Sequence, residues 1–385
     1  MAYVAARGGD RAIRESERLY HELKGGTSKE SVQTILKTLP YLVDRVMGEA
    51  SLYSPELAAL AIAQTGGDLA EATLTLRAYR TTLPRIGYAE PIDEGQMLTV
   101  RRISAAFKDV PGGQFLGPSL DYSHRLLQLE VLDGPTPPME EVPPQSGSAP
   151  SSLPYVTSWQ KKQGMLEAPP ERPLQDPSLI PDLTAEPLLI PAPREHRLQA
   201  LARADTGGVL ALGYANMRGY GGVHPTVNEL RLSYSDVQMK HPISGATFSL
   251  GRIRTSQGEV VSTFSEKQKE GKLDLGFCAT MGWNEIKVIA GSMLDMAMDL
   301  PEPHPSHTEE YVLYHTEIVE SSGFCVHYKL PHYVTFNSTL DNLREVKRAR
   351  EEAAATDEEQ LEHGPAVSES EKENMVDSDN GNALE

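Results

Sequence analysis

Leu230-Arg231-Leu232-Ser233-Tyr234-Ser235 alternates apolar and polar side chains at every position. A period of two puts the apolar side chains on one face of a strand and the polar ones on the other, which predicts a half-buried β-strand. Further along, apolar residues recur at helical spacing between positions 286 and 300, which predicts an amphipathic helix. Strand and helix in one region indicate an α+β domain, which we place at residues 194–345.

Weaker signals complete the prediction for this domain. In chain order they predict a buried strand at 209–212, a hairpin turn at 256–258 between two strands, a helix over 309–322 ended by Gly323, and a strand from Phe324 onward.

The sequence signals in residues 1–132 predict a mostly helical N-terminal domain. Pro40 should split one helix, because proline cannot donate to the preceding turn. Ser54-Pro55 and Asp68 are typical helix starts, with a capping side chain just before the first turn. Residues 101–118 predict a short helix that enters a loop rich in glycine and proline.

Residues 133–193 differ from both neighbours, because these 61 positions hold 15 of the 28 prolines. Such a segment is a linker or an extended arm rather than a domain. Trp159 and the apolar group Leu188-Leu189-Ile190 favour an arm that wraps a neighbour, since they would gain nothing in free solvent.

The charge is concentrated at the C-terminus. Residues 351–385 hold twelve acids against Lys372, which accounts for −11 of the formal −18 and leaves −7 elsewhere. The acidic tail, residues 346–385, should be disordered, and local basic clusters elsewhere can still bind phosphate. A nucleic-acid partner is excluded by the lack of a basic stripe with aromatics. Neither a signal peptide nor a run of about 18 apolar residues is present, so we expect a soluble, cytoplasmic protein without a membrane partner.

A basic stretch beside a Gly-Gly turn is one candidate site. Arg101, Arg102 and Lys108 precede Gly112-Gly113, and guanidinium groups together with backbone N–H groups can bind phosphate. A lone Gly-Gly turn after a helix is more often just a turn, and the stretch is not a P-loop. Arg77 and Arg80 share a helix face, but ordinary surface arginines would show the same spacing.

Histidines supply the other candidates. His124 follows the basic stretch, and His224 ends a glycine-rich loop, where it could donate a proton or belong only to a mobile connection. His327 and His332 flank Pro331, whose bend could bring both imidazoles onto one metal ion. Two ligands do not complete a zinc shell, and two hydrogen-bonded histidines near a strand end are the alternative.

Several blocks together resemble one known family. They are, in chain order, Leu42-Val43-Asp44-Arg45-Val46-Met47, Leu76-Arg77-Ala78-Tyr79-Arg80-Thr81-Thr82-Leu83, the stretch from Arg101 through Gly113-Gln114 to Leu127, Arg218-Gly219-Tyr220-Gly221, and His327-Tyr328-Lys329-Leu330-Pro331-His332-Tyr333-Val334. On these residues the chain resembles the I subunit of bacterial carbon–phosphorus lyase (PhnI) over most of residues 1–345. The proline-rich arm matches poorly.

The resemblance implies a hetero-oligomer containing two copies of this chain, the G, H and J subunits and ABC-type ATPase subunits. It implies nucleosidase-type transfer of ribose 5-triphosphate from ATP or GTP to a phosphonate, with loss of the purine base. It also implies zinc on His327 and His332 at the face shared with the J subunit. We assign Arg101, Arg102 and Lys108 to the triphosphate, and His224 or His124 to the leaving base.

Two alternatives remain open at this point. A non-catalytic scaffold subunit would also explain a long arm and an incomplete metal site. A free-standing nucleosidase would need to be stable and fully active as a monomer, which the arm disfavours.

Overall fold

The computed structural model describes residues 9–92, 97–134, 153–167, 180–215, 217–218, 224–263, 269–329 and 333–362. The helices in these ranges are α1 Gly9–Lys24, α2 Lys29–Thr38, α3 Pro40–Ala50, α4 Pro55–Gln64, α5 Leu69–Arg80, α6 Val156–Lys162, α7 Arg194–Arg203, α8 Thr206–Ala215, α9 Glu285–Met298, α10 Glu309–His315, α11 Ile318–His327 and α12 Tyr333–Glu362. The strands are β1 Met97–Ile103, β2 Thr226–Lys240, β3 Thr247–Ser262 and β4 Asp274–Met281. The predicted α+β class is confirmed.

The N-terminal helices begin where the sequence predicts. Pro40 is the first residue of α3 and separates it from α2. The Ser54 hydroxyl accepts a hydrogen bond from the Leu57 N–H at the start of α4, and the Asp68 carboxylate accepts two at the start of α5. These caps satisfy N–H groups that have no partner within the helix. The four helices α2 to α5 bury a common apolar core that includes Val46, Met47, Ala58, Ile62 and Leu76.

The described strands form one antiparallel sheet in the order β1-β2-β3-β4. Leu232 of β2 lies opposite Arg101 of β1 and Ser256 of β3, so these three side chains share a face. Helix α9 covers that face, and its Val288 and Leu294 pack with Leu230 and Cys278 in the main core.

Two glycines bring α9 unusually close to the sheet. A Cβ at Gly276 would lie 2.0 Å from the Ser292 carbonyl oxygen, and one at Gly258 would lie 2.8 Å from the Val288 carbonyl oxygen. Side chains at these positions would push the helix off the strands, so the two glycines set the distance between the layers.

The opposite face of the sheet is buried as well. Arg231 and Ser233 are each 1% exposed, which contradicts the half-buried strand predicted from the alternation. Residues 153–166 of the proline-rich arm cover this face, and the Leu153 carbonyl accepts a hydrogen bond from Arg231. Trp159 of α6 packs edge-to-face on Phe107, with ring centroids 5.3 Å apart. The polar side chains of β2 therefore meet protein rather than water.

Four local predictions were wrong. Residues 209–212 lie in helix α8 rather than in a strand, and residues 256–258 continue β3 rather than forming a turn. Residues 101–103 end β1, and a loop rather than a helix follows. Gly323 and Phe324 lie within helix α11, where a helix end and a strand were predicted.

The chain separates into two compact units at residue 326. In the C-terminal unit, α12 continues to Glu362, beyond Arg350, where disorder was predicted. The rest of the acidic tail, residues 363–385, lies outside the described ranges. Among the described helices, none is long and apolar enough to cross a membrane.

Candidate functional site

Arg101 and Arg102 are buried at successive positions of β1 and therefore point to opposite faces of the sheet. The Arg101 guanidinium contacts the carboxylates of Glu285 and Asp121. Its remaining nitrogen donates to the Leu116 carbonyl at 2.6 Å. All three nitrogens of the Arg101 guanidinium are thus engaged by protein groups.

Arg102 lies in a buried ionic cluster under the arm. Its Nε donates to Glu229 Oε1 at 2.5 Å, and Arg231 Nε donates to the same oxygen at 2.8 Å. The Val156 N–H of α6 donates to Glu229 Oε2 at 2.9 Å. The other two nitrogens of Arg102 donate to the carbonyls of Pro111, Gly113 and Pro154. Such complete pairing is what keeps buried ions tolerable.

A second carboxyl group of this cluster is more easily protonated than an ordinary glutamate. Burial, together with the nearby Glu229 carboxylate, raises the pKa of Glu259 to about 7. Glu259 accepts hydrogen bonds from Asn228 at 3.0 Å and Thr157 at 3.4 Å. The cluster therefore holds two guanidinium groups and two carboxyl groups, of which Glu259 is the one with the raised pKa.

The Gly112-Gly113 turn lies beside Arg102, with positive φ at both residues. The Gly113 carbonyl accepts from Arg102, whereas the Gly113 N–H donates to the Val110 carbonyl at 2.9 Å. Lys108 has an exposed side chain. The structure brings Arg102 and the turn together, but the guanidinium donates to carbonyl oxygens of the turn instead of sharing a ligand with its N–H groups. Phosphate binding by this stretch stays a prediction, and it requires the two arginines to exchange protein acceptors for phosphate oxygens.

His224 and His124 lie in different surroundings. His224 is exposed just before β2 and lines a cavity of about 510 Å³ together with Phe107, Thr226 and Ser262. His124 is exposed in the loop after β1 and is not among the described residues that line this cavity. His224 therefore faces a space that could admit a small molecule.

His327 is the last residue of α11, and its ring lies 4.5 Å from that of Tyr328. His332 lies outside the described residues. Within the described ranges, no group of three or more histidine, cysteine, aspartate or glutamate side chains could hold a metal ion. The described part of the chain therefore does not form a zinc site by itself, and zinc binding by His327 and His332 stays a prediction.

A second set of arginines lies between α5 and residues 180–188. Arg77 of α5 donates to the Glu49 carbonyl at 3.0 and 2.8 Å and contacts the Glu317 carboxylate. Arg85 contacts the Asp182 carboxylate and donates to the Thr184 hydroxyl at 2.9 Å. Each of these two arginines has one acidic partner.

Arg80 and Arg203 complete this set without a carboxylate in contact. Arg80 Nη1 and Arg203 Nε are buried and have no hydrogen-bond partner among the described residues. Burial, together with Arg77 and Arg80, lowers the pKa of Arg203 to about 10. Burial and Arg77 also lower the pKa of Arg80. Positive charge is therefore present in excess at this place.

Arg80 and Arg85 line a cavity of about 820 Å³. Asp182, Thr184 and Gln199 add polar groups to its wall, and the remainder is mostly apolar. In the sequence, the signal for Arg80 is its spacing of three from Arg77, which ordinary surface arginines also show. Arg203 gives no local signal, because it reaches the cluster from α7, more than a hundred residues away.

Comparison with known proteins identifies the family. The family described as bacterial phosphonate metabolism protein (PhnI) matches residues 2–350. The protein HtxH of Stutzerimonas stutzeri, named as a C-P lyase subunit, is 41% identical over 362 residues, covering 89% of this chain and 95% of the relative.

Two further relatives are named alpha-D-ribose 1-methylphosphonate 5-triphosphate synthase subunit PhnI. The protein of Rhizobium meliloti is 40% identical and covers 92% of this chain and 97% of its own length. The protein of Escherichia coli is 38% identical and covers 90% of this chain and 98% of its own length. Agreement of this extent over nearly the whole sequence means that the chain belongs to the PhnI family of bacterial phosphonate metabolism proteins.

Proposed function

We propose that this chain is a subunit of a carbon–phosphorus lyase complex that makes alpha-D-ribose 1-methylphosphonate 5-triphosphate. The observation that carries the proposal is the similarity, along almost the full length, to relatives with that name. In the finer proposal, ribose 5-triphosphate is transferred from ATP or GTP to a phosphonate, and the purine base is released.

In this reaction the bond between ribose C1′ and the purine nitrogen breaks, and a bond from C1′ to a phosphonate oxygen forms. The transition state resembles an oxocarbenium ion, so it is favoured by nearby negative charge and by protonation of the leaving base. We favour His224 as the proton donor because it lines a cavity of about 510 Å³. His124 is the second candidate. Among the predicted phosphate ligands Arg101, Arg102, Lys108, Gly112 and Gly113, Lys108 has the most accessible side chain.

The proposed partners are the G, H and J subunits and ABC-type ATPase subunits, in a cytoplasmic hetero-oligomer with two copies of this chain. The segment between residues 116 and 132 supports subunit contacts, since it exposes many large apolar side chains. They are Leu116, Leu120, Tyr122, Leu126, Leu127, Leu129, Val131 and Leu132. Concentrated exposed apolar surface of this kind is typical of a protein interface.

We also propose that His327 and His332 bind zinc together with ligands of the J subunit. Each histidine would contribute one imidazole nitrogen. Bound zinc would supply Lewis-acid chemistry at that face.

A scaffold role is the second candidate function. Helix α12 favours it, because Phe336, Leu343 and Val346 are all more than half exposed and lie on one side of the helix. An unpartnered apolar side on a 30-residue helix is typical of a docking element.

Purine release from ATP and GTP separates the two functions. It would be measured with the purified chain, alone and with the G and H subunits, for the wild type, His224→Ala and the double variant His327→Ala/His332→Ala. Release by the wild type and the double variant supports a nucleosidase whose histidine pair serves the partner interface. Release by the wild type but not by a folded double variant places the pair in the transfer site. No release under any of these conditions overturns the enzymatic proposal in favour of the scaffold.

Loss of release in His224→Ala alone would support its role as the proton donor. The matched control is His124→Ala, which also removes an exposed histidine. If His124→Ala loses activity and His224→Ala keeps it, the two assignments are exchanged.

A further inference from the structure

We infer that the cavity lined by Arg80 and Arg85 binds the polyphosphate chain of a purine nucleoside triphosphate. The inference rests on the proposed function and deepens it, because it assigns the substrate's triphosphate to residues that differ from those around the Gly112-Gly113 turn. It is carried by charge, by unpaired donors and by the shape of the cavity.

The charge balance is the first argument. Four guanidinium groups, those of Arg77, Arg80, Arg85 and Arg203, interact at this place. Among the residues that the structure describes, two carboxylates are in direct contact with them, Asp182 on Arg85 and Glu317 on Arg77. A bound polyphosphate would supply the missing negative charge, and planar guanidinium groups bind its oxygens in pairs.

The unpaired nitrogen of Arg80 is the second argument. A buried donor without an acceptor costs free energy, and native structures seldom keep one without a reason. Arg80 Nη1 is such a donor, on a residue that lines the cavity. Nη1 itself is enclosed by protein, so an anion in the cavity would accept from it only if the Arg80 guanidinium turned toward the cavity.

Arg77 and Arg203 contribute from behind the wall of the cavity. Arg77 is held by the Glu49 carbonyl and Arg203 by the Leu183 carbonyl, so their positions are fixed by backbone groups. Neither lines the cavity, but both raise the positive potential at Arg80. The site is thus prepared for an anion before one arrives, which lowers the cost of binding.

The cavity also suits the rest of a nucleotide. Its volume of about 820 Å³ lies in the range of ligand-binding pockets. The rest of its wall is mostly apolar and aromatic. Ile86 and Leu250 are exposed there, and the Tyr88 ring centroid lies 5.1 Å from the Arg85 guanidinium carbon. A purine ring can lie against such a surface while the phosphates contact the guanidinium groups.

Titration of the full-length chain with inorganic tripolyphosphate, followed by calorimetry, tests the inference. We expect binding that weakens as salt is raised, since the charges lie near solvent. Arg80→Met and Arg85→Met should each weaken it by about 10- to 100-fold, as expected for the loss of one charge-assisted contact. Arg348→Met is the matched control, because it removes an exposed arginine from α12 and should leave the affinity within about 2-fold.

A second variant guards against loss of binding through misfolding. Asp182→Asn removes the carboxylate that competes for Arg85, so it should tighten tripolyphosphate binding several-fold. A damaged protein cannot gain affinity in this way. Unchanged binding in Arg80→Met and Arg85→Met, or weaker binding in Asp182→Asn, overturns the inference.

Base release by the complex then separates this inference from the proposed function. Tripolyphosphate binding that depends on Arg80, without purine release, supports the site and contradicts the nucleosidase. Purine release by the wild-type complex, with Lys108→Ala but not Arg80→Met weakening ATP binding, supports the nucleosidase and places its phosphates at the Gly-Gly turn instead.

Discussion

Two sets of arginines occupy this fold, and they differ in what their nitrogens contact. Arg101, Arg102 and Arg231 lie in the sheet, and each has carboxylate and carbonyl acceptors within hydrogen-bond distance. Arg80 and Arg203 end helices α5 and α7, and each keeps a buried nitrogen that has no acceptor in the described part of the chain. The difference teaches that a turn beside a buried arginine can hold that arginine through its own carbonyl oxygens, and the unpaired nitrogen of Arg80 is one of the observations behind the anion site that we infer.

The physical origin of the difference is the pairing of strands. Arg102 lies opposite Arg231 in the sheet, and Glu229 is two residues before Arg231 on the same face, so a carboxylate comes within reach of both guanidinium groups. Arg80 and Arg203 come from the ends of separate helices, where no strand pairing places a carboxylate opposite them.

The largest expected effect is on the sheet arginine with the most complete pairing. Arg102→Ala should lower the free energy of unfolding by about 3–5 kcal/mol, because it leaves Glu229 buried with one guanidinium fewer and exposes three carbonyls to a void. Urea unfolding followed by circular dichroism measures it.

The control for Arg102→Ala is Arg252→Ala, which removes an exposed arginine from the same sheet and should change the free energy by less than about 0.5 kcal/mol. Arg102→Lys should still cost most of the loss, since one ammonium group cannot reach carbonyls on several sides. Equal stabilities of the three variants would contradict the structural role of Arg102.

A smaller loss is expected at the neighbouring position. Arg101→Ala should lower the free energy of unfolding by about 1–3 kcal/mol, because its partners Asp121 and Glu285 are partly exposed and water can solvate them. The same urea titration gives the value. A loss larger than that of Arg102→Ala would mean that exposure of the acid does not govern the cost.

Much of this fold could be predicted from local sequence. The alternation at 230–235 gives strand β2, and the capping residues Ser54 and Asp68 give the starts of α4 and α5, because both signals depend on near neighbours in the chain. The structure confirms these elements.

The remaining predictions were wrong where contacts between residues far apart in the sequence determine the secondary structure or the burial. Residues 209–212 are apolar on all sides and join a helix, whose Gly213 packs closely on Ala290 of α9. Gly258 resembles a turn residue, but it serves the close approach of α9 to the strand. The polar face of β2 is buried by the arm, which no period of two can reveal.

For the site, the sequence shows only which arginines exist. The residues near Arg102 in the sequence do not predict its ion pair with Glu229, and those near Arg203 do not predict its proximity to Arg80. Whether an arginine is paired is a property of the assembled fold, so the phosphate assignment at the Gly-Gly turn could not be checked by spacing.

The pH dependence of the free energy of unfolding tests the protonation of Glu259 in the buried cluster around Arg102. Glu259 has a pKa raised from 4.5 to about 7, so between these values the folded chain holds a proton that the unfolded chain has lost. Stability from this group is therefore present at low pH and falls as pH rises through that window. Glu259→Gln is neutral throughout, so the stability of the variant relative to wild type should increase by on the order of 2 kcal/mol between pH 5 and pH 8.

Urea unfolding at the two pH values measures the Glu259 effect. Asp236→Asn is the control, because Asp236 is partly exposed and hydrogen bonds from Ser249 and Gln238 lower its pKa, so its charge is the same at both values. A relative stability of Glu259→Gln that does not change with pH would show that Glu259 stays ionised in the folded cluster.

The smallest effect on the free energy of unfolding is expected at Arg80, where removal of the cation can even stabilise the fold, in contrast to the sheet arginines. Arg80→Met removes a cation whose Nη1 has no acceptor among the described residues, so the free energy of unfolding should stay within about 1 kcal/mol of wild type or rise slightly. Thermal unfolding without tripolyphosphate measures the stability of Arg80→Met against wild type, and unfolding with it measures how much the anion stabilises each protein. At a concentration 100 times its Kd, the anion should stabilise the wild type by about 2.7 kcal/mol and Arg80→Met by much less. If Arg80→Met instead unfolds as easily as Arg102→Ala, Arg80 is a structural arginine like those of the sheet, and the contrast between the two sets disappears.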